Sequence, residues 1–304
     1  MHCFCRDLGV CGKWIRDVIT TIGVPFFFIT SGYFFSKGFD LAQDKKLYVS
    51  KYVKRILVMY SIWTVVTLPV AWMNLNLAKP DEGLIMRMLR FPRGYFLSGS
   101  MGIYWYLLSL IYGAIIIGFS QSKQKIWVIF GVASIFFIIG VMYEGGALGN
   151  SLLYKIIHTV FGSERNFLNV GIFYMSVGFL AQRQEGKLSK NPVVYLTALI
   201  VSIAVDTCLR NVTSLHFMQA FSAFSLFNLS RVITISIPDK IALKCRTIST
   251  VIYLSHFPLI LVFDYYLQRG TFIDIFTVLS ISICVYIIAK KVLPGKIIKA
   301  VYGN

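Results

Sequence analysis

The residues whose types and spacing could do chemistry are few, and most lie inside or beside long apolar runs. His256 stands in the run Ile252-Tyr253-Leu254-Ser255-His256-Phe257-Pro258. A neutral imidazole there could take a proton from a weak nucleophile near physiological pH. The same side chain could equally be a hydrogen-bonded packing group, with Pro258 freeing backbone carbonyls beside it. His2 is a second imidazole of this kind, or a frayed terminus. Lys51, Lys54 and Arg55 recur at helical spacing where an apolar run begins, so the three cations can converge on a phosphate-bearing ligand, Arg through paired donors and Lys as a point charge. Ordinary loop charge that meets anionic lipid produces the same pattern. Arg165 and Asn166 open another apolar run, beside a Glu164 that can neutralise the arginine.

Other polar residues read as structural or peripheral. Asp206 and Arg210 are four apart on one helix and satisfy each other. Asp264 lies near one end of its run, where it lines a polar mouth. His158 and His216 fall in or beside connections and read as surface residues. The six cysteines, Cys3, Cys5, Cys11, Cys208, Cys245 and Cys284, are dispersed and imply no disulfide framework. His2, Cys3 and Cys5 crowd together without the paired ligand spacing of a zinc site, so no metal is expected. Neither a phosphate-binding glycine loop followed by Lys-Ser/Thr nor a dinucleotide glycine fingerprint occurs.

The elements that must position these groups are set by composition. Of 304 residues, 57% are hydrophobic and 14% charged, where a soluble domain carries about a quarter charged. Nine apolar segments lie near 17–36, 55–74, 102–120, 125–143, 166–182, 193–209, 215–231, 247–267 and 271–293. Each is close to the roughly 20 residues a spanning helix needs. Irregular backbone cannot face lipid, and the runs are too long and unalternating for barrel strands. The expectation is an all-α, polytopic transmembrane helical bundle, with residues 1–304 forming a single membrane-embedded domain and no soluble one. The stretch 75–100 carries Arg87, Arg90 and Arg93 among Met, Leu and Phe, which predicts an amphipathic interfacial helix.

The formal charge of +17 falls between the apolar runs instead of on one surface, which argues against a nucleic-acid partner. Placing the loop with Lys37, Lys45, Lys46, Lys51, Lys54 and Arg55 in the cytoplasm puts 19 of the 30 Lys and Arg on that side. The positive-inside rule then makes the C-terminus cytoplasmic. The first full helix would run from outside to inside, so Met1 to Val10 reads as the outer remnant of a helix whose inner half is missing upstream.

Several of these segments together resemble one family. Val24-Pro25-Phe26-Phe27-Phe28-Ile29-Thr30-Ser31-Gly32-Tyr33-Phe34 resembles the second-helix motif of the acyltransferase family 3 membrane proteins. In the family's order there follow Lys51-x-x-Lys54-Arg55-Ile56, Ile103-Tyr104-Trp105-Tyr106-Leu107, Arg165-Asn166 before a helix ending Val177-Gly178-Phe179, and Ile252-Tyr253-Leu254-x-His256. The resemblance implies a ten-helix enzyme of the cell inner membrane that moves an acyl group, usually acetyl from acetyl-CoA, onto a sugar hydroxyl of a surface polysaccharide or lipid-linked sugar. It implies His2 as catalytic base, with its basic partner eleven positions earlier lying before Met1. It also implies Lys51, Lys54 and Arg55 as contacts for the CoA phosphates, Arg165 and Trp105 as cavity residues, and His256 as a member of the site. The rival expectations are a polysaccharide polymerase or lipid-linked-sugar flippase, and an inactive relative that keeps the fold.

Overall fold

A computed structural model of the chain describes residues 9–292 apart from 79, 80, 82, 120–122, 150, 162–164, 214, 215, 234–236 and 268–271, with 294, 295 and 298 beyond; in parts of several helices it describes the backbone alone. The described residues form α1 (Gly9–Leu41), α2 (Lys45–Val66), α3 (Leu68–Ala78), α4 (Leu84–Arg93), α5 (Trp105–Gly118), α6 (Lys123–Glu144), α7 (Leu152–Phe161), α8 (Ile172–Arg183), α9 (Pro192–Thr213), α10 (Gln219–Val232), α11 (Asp239–Leu267) and α12 (Phe272–Val292). No strand occurs among them, and the all-α expectation holds.

Each expected apolar segment falls on a helix, but the helices are less uniform than nine full spans. Among the described residues, Lys125–Glu144, Pro192–Leu209 and Asp239–Phe263 are long and apolar enough to cross a bilayer. A fourth crossing exists if α2 and α3, bent by 61°, act as one broken span. The segments 17–36 and 271–293 fall in α1 and α12, parts of which are described by their backbone alone, and the count does not extend to them. The departures have local causes. Pro69 has no amide to offer the carbonyl four residues back, so the chain breaks at Thr67, whose amide and hydroxyl both return to the Trp63 carbonyl (3.0 and 2.7 Å). Helices α5 and α10 have 14 residues each, about 21 Å of length, against a hydrocarbon core of about 30 Å.

The chain divides into two compact units, one of Met1–Asp17, Arg55–Tyr104 and Ser236–Asn304, the other of Val18–Lys54 and Trp105–Ile235. The second is built around α8, which is buried on every side, from Ile172 and Phe173 to Leu180 and Ala181. A helix apolar all round has to be enclosed by others. Glycines set how closely they come. A Cβ on Gly32 of α1 would overlap the Met175 carbonyl oxygen of α8, and one on Gly178 would overlap the Ile29 carbonyl oxygen of α1. On α5, a Cβ at Gly113 would lie 2.6 Å from the Met175 sulfur. From α6, Phe137 stacks on Phe173 with ring centroids 4.3 Å apart. Small residues at such crossings allow backbones to approach where lipid offers no hydrophobic drive.

The expected segment at 166–182 starts with a wide turn before α8. Asn166, fully buried, accepts from the Leu168 and Asn169 amides at 2.9 Å each, and its carbonyl takes the Gly171 amide at 3.3 Å, giving one π-helical turn over Phe167–Gly171. Side chains cannot be added on either flank: Cβ atoms on Gly171 and Gly140 would meet Ser109 of α5 at 2.5 Å and Asn169 at 2.8 Å.

In the first unit α11 packs on α12, where Ser255 donates to Ser282 at 2.8 Å, and α3 packs on α11. An amphipathic helix forms in the expected stretch 75–100: α4 buries none of its residues and leaves Ile85 77% exposed. Arg87 reaches Asn76 at 2.8 Å. Along α6, Trp127, Val128, Val132 and Ile135 are exposed, as are Val193, Ile200 and Val201 on α9. Large apolar side chains so arranged on bilayer-length helices face lipid, and the chain is a membrane protein.

Three outcomes test this packing. Gly178→Ala should lower stability by about 3 kcal/mol or more, because backbone and not a flexible side chain blocks the new methyl. Gly131→Ala, with nothing within 4 Å, should be neutral or slightly stabilising through helix propensity. Asn166→Ala should cost about 1–3 kcal/mol, the penalty for orphaned buried amides. Thermal unfolding of the protein in lipid nanodiscs reads all three.

Candidate active site

The proline in α11 determines the surroundings of His256. A residue at 258 would normally donate its amide to the Leu254 carbonyl, and Pro258 cannot. The carbonyl instead accepts from Tyr104 Oη at 2.9 Å. One turn on, His256 Nδ1 lies 2.9 Å from both the Ile252 and the Tyr253 carbonyl oxygens. Carbonyl oxygens only accept, so Nδ1 carries the hydrogen and shares it between them. The neutral ring therefore keeps its lone pair on Nε2. An imidazole held in one tautomer with Nε2 bare is arranged to accept a proton. His256 is partly buried in a helix of membrane length, and the sequence reading of a hydrogen-bonded histidine holds at Nδ1.

The first unit also carries a hydroxyl network that the sequence did not single out. Tyr60 Oη donates to the Tyr95 carbonyl (2.7 Å) and accepts from the Ser100 amide (3.1 Å). Thr64 and Ser100 hydroxyls meet at 2.6 Å, and those of Ser61 and Tyr95 at 2.7 Å. Tyr253 Oη donates to the Ile103 carbonyl. The available signal was Pro258 itself, which marks residue 254 as an acceptor in need of a donor without saying which donor.

The second unit holds most of the other candidates. Trp105 opens α5 and lies 5.6 Å, ring to ring, from the fully buried Phe28, whose other face meets Tyr106 at 4.5 Å. Ser31 and Tyr106 hydroxyls are 3.0 Å apart. Two of the quoted motifs, 24–34 and 103–107, thus meet in one aromatic cluster. Arg165 forms its ion pair with Glu144, at the end of α6, at 3.0 Å. Its expected neighbour Glu164 lies outside the described residues. Asn166, beside it, is committed to capping the π-helical turn.

Lys51 and Lys54 are exposed on α2, one turn apart, and Arg55 follows at the start of the first unit's share of that helix. The ion pairs described nearby in sequence order occupy other cations: Arg183 with Asp40 at 3.0 Å and Arg231 with Glu185 at 3.4 Å. No ion pair among the described residues involves Lys51 or Lys54. His2 lies outside the described residues, as do the side chains of Arg210 and Asp264.

One expectation is corrected. His216 is not a surface residue: its side chain is 18% exposed and its Nδ1 lies 3.8 Å from Oδ2 of the buried Asp206. Asp206 also lines a small pocket with Thr21, Thr207, Gln219 and Ser222 and the apolar Val18, Ile22 and Ile203. His216, just before α10, approaches α9, which spacing along the chain does not reveal. His158, on α7, is exposed and hydrogen-bonded to Tyr143 at 3.0 Å. No group of three or more metal-ligating side chains is gathered among the described residues.

Comparison with known proteins bears on what this arrangement serves. An amino-acid racemase of Enterococcus faecalis is 24% identical over 207 residues, covering 66% of this chain and 27% of the racemase. The chain thus spans about a quarter of the length of that relative. No solved structure matches it. A family model described as an acyltransferase domain matches residues 9–290, nearly the whole chain, and it includes α1, α2, α5, α8 and α11, the helices that carry Phe28, Lys54, Trp105, Gly178 and His256. The chain belongs to acyltransferase family 3.

Proposed function

We propose that this membrane acyltransferase is an O-acetyltransferase that moves acetyl from cytoplasmic acetyl-CoA to a sugar hydroxyl of a surface polysaccharide or lipid-linked sugar. The observation that carries the reading is His256, held with Nε2 bare in a membrane-length helix of an acyltransferase. A sugar hydroxyl is a poor nucleophile at neutral pH, so its attack on the thioester carbonyl needs a base to remove the proton as the new C–O bond forms. His2 and His256 are the two imidazoles through which that proton leaves. The C–S bond then breaks, and the CoA thiolate takes up a proton. Relay through an acetyl-histidine is the other route to the same products.

The charge on CoA dictates where it binds. Its phosphates cannot enter hydrocarbon, so they stay at the membrane face on Lys51, Lys54 and Arg55, while the thin pantetheine arm carries the thioester inward. Arg165 and Trp105 line the path of the acceptor. This arrangement goes with nine full spans, an inner-membrane location and a cytoplasmic C-terminus, on the side where the cations gather. Racemisation is not carried over from the Enterococcus faecalis relative, since the shared part is 27% of that protein.

Membranes containing the chain should release free CoA from acetyl-CoA only when the cell-surface glycan acceptor is present, with acetate ester appearing on the glycan. Lys51→Gln with Lys54→Gln should raise the KM for acetyl-CoA about tenfold or more and leave kcat nearly unchanged, as expected for lost charged hydrogen bonds. His256→Gln should lower kcat by about 10²-fold or more. Acetylation that proceeds without acetyl-CoA would sink the donor assignment. His2→Ala at full rate would remove His2 from the mechanism.

A further inference from the structure

We propose that Tyr104 is the positioning residue for His256, supplying from outside the helix the hydrogen bond that Pro258 denies it. The inference rests on reading His256 as a proton acceptor. Leu254 is fully buried in a helix of membrane length, where no bulk water can serve its carbonyl. The donor that reaches it is a Tyr104 whose side chain is itself fully buried. Since its hydroxyl is committed and its ring enclosed, Tyr104 acts through the helix and not on substrate.

The hydroxyl is held in place by the segment that carries it. The Tyr104 amide closes a turn onto the Met101 carbonyl at 2.9 Å. Tyr253 Oη donates to the Ile103 carbonyl, and Gly102 lies so close under the Phe257 ring that a Cβ would come within 3.1 Å of it. The Tyr60 ring meets the Tyr104 ring edge to face at 6.4 Å. Residues 102–104 and the turn 253–257 thus grip each other at three points that bracket His256. That turn also carries the Tyr253 carbonyl which, with Ile252, holds the hydrogen of Nδ1. Without the Tyr104 hydroxyl, the Leu254 carbonyl can find a donor only if the turn rotates, and the acceptors of His256 rotate with it. Tyr104 and Pro258 form a functional pair, the hydroxyl being needed because the amide is absent.

The test uses the full chain labelled with ¹⁵N at its four histidines and reconstituted in phospholipid bilayers, where ¹⁵N NMR separates a protonated Nδ1 from a protonated Nε2. The His256 signal is the one that His256→Gln removes. In the wild type it should report a protonated Nδ1. Tyr104→Phe, which keeps the ring, should divide it between the two tautomers. With the glycan acceptor present, the same variant should lower the rate of CoA release from saturating acetyl-CoA by about ten- to a hundredfold, with the KM for acetyl-CoA unchanged. In a Pro258→Ala background the backbone donor returns, so adding Tyr104→Phe should alter neither spectrum nor rate by more than about twofold. If Tyr104→Phe alone does not accumulate, this second comparison decides. An unchanged His256 signal in Tyr104→Phe, or an equal loss in both backgrounds, overturns the proposal. His256→Gln at the wild-type rate would overturn the base reading itself, whereas an inactive His256→Gln beside a fully active Tyr104→Phe would remove Tyr104 alone.

Discussion

A backbone carbonyl inside a bilayer has to be satisfied by the protein, because hydrocarbon supplies no donor. Much of this structure follows from that requirement. Hydroxyls within the helices turn back onto carbonyls of the preceding turn: Thr30 onto Phe26, Ser134 onto Phe130, Thr207 onto Ile203, Thr247 onto Leu243 and Ser282 onto Val278, all within 3.0 Å. Such bonds let polar side chains sit at membrane depth at little cost. Where the backbone is irregular the donors come from farther away. Asn166 serves the start of the π-helical turn, and Tyr104 serves the carbonyl that Pro258 leaves open. The turn that Tyr104 serves also carries the Tyr253 carbonyl, which with that of Ile252 holds the hydrogen of His256 Nδ1.

Close packing supplies the second constraint. Without a hydrophobic drive between helices, α1 and α8 are held by backbone contact across Gly32 and Gly178. This gives a physical reason for much of the motif at 24–34. Gly32 is there because Met175 approaches, Ser31 because Tyr106 lies opposite, and Phe28 because Trp105 and Tyr106 enclose it. Part of what makes the family recognisable is therefore the geometry of helix crossings. Val24 to Phe34 places α1 against α5 and α8.

Electrostatics separates cations engaged by a carboxylate from cations exposed without one among the described residues. Arg183 and Arg231 are engaged by Asp40 and Glu185, and each also touches the aromatic or amide groups around it, Arg183 over the Phe179 ring at 4.6 Å and Arg231 toward Asn228 at 3.3 Å. Arg165 is engaged by Glu144. Lys51 and Lys54 stand exposed on one face of α2 without such a counter-charge among the described residues. With 30 basic residues against 13 acidic ones, most cations cannot find a carboxylate, and the unpaired ones favour polyphosphate or anionic headgroups.

The all-helical class, the membrane environment and the positions of the long apolar helices were legible in the sequence, since each depends on local composition: a run of about 20 apolar residues has few ways to exist other than as a helix in lipid. The short α7 and the break between α2 and α3 were not. The family was legible for the same reason, its motifs being short and consecutive. Pro258 even marked Leu254 as a carbonyl without its usual donor. What spacing along one chain cannot hold is the partner from a distant segment. That Tyr104 answers Leu254 from 150 residues away, that Glu144 pairs with Arg165 across 21 residues, and that His216 lies against Asp206 were decided only by tertiary packing. Hydrogen bonds and ion pairs act over a few ångströms of space, and only the fold sets which residues lie that close.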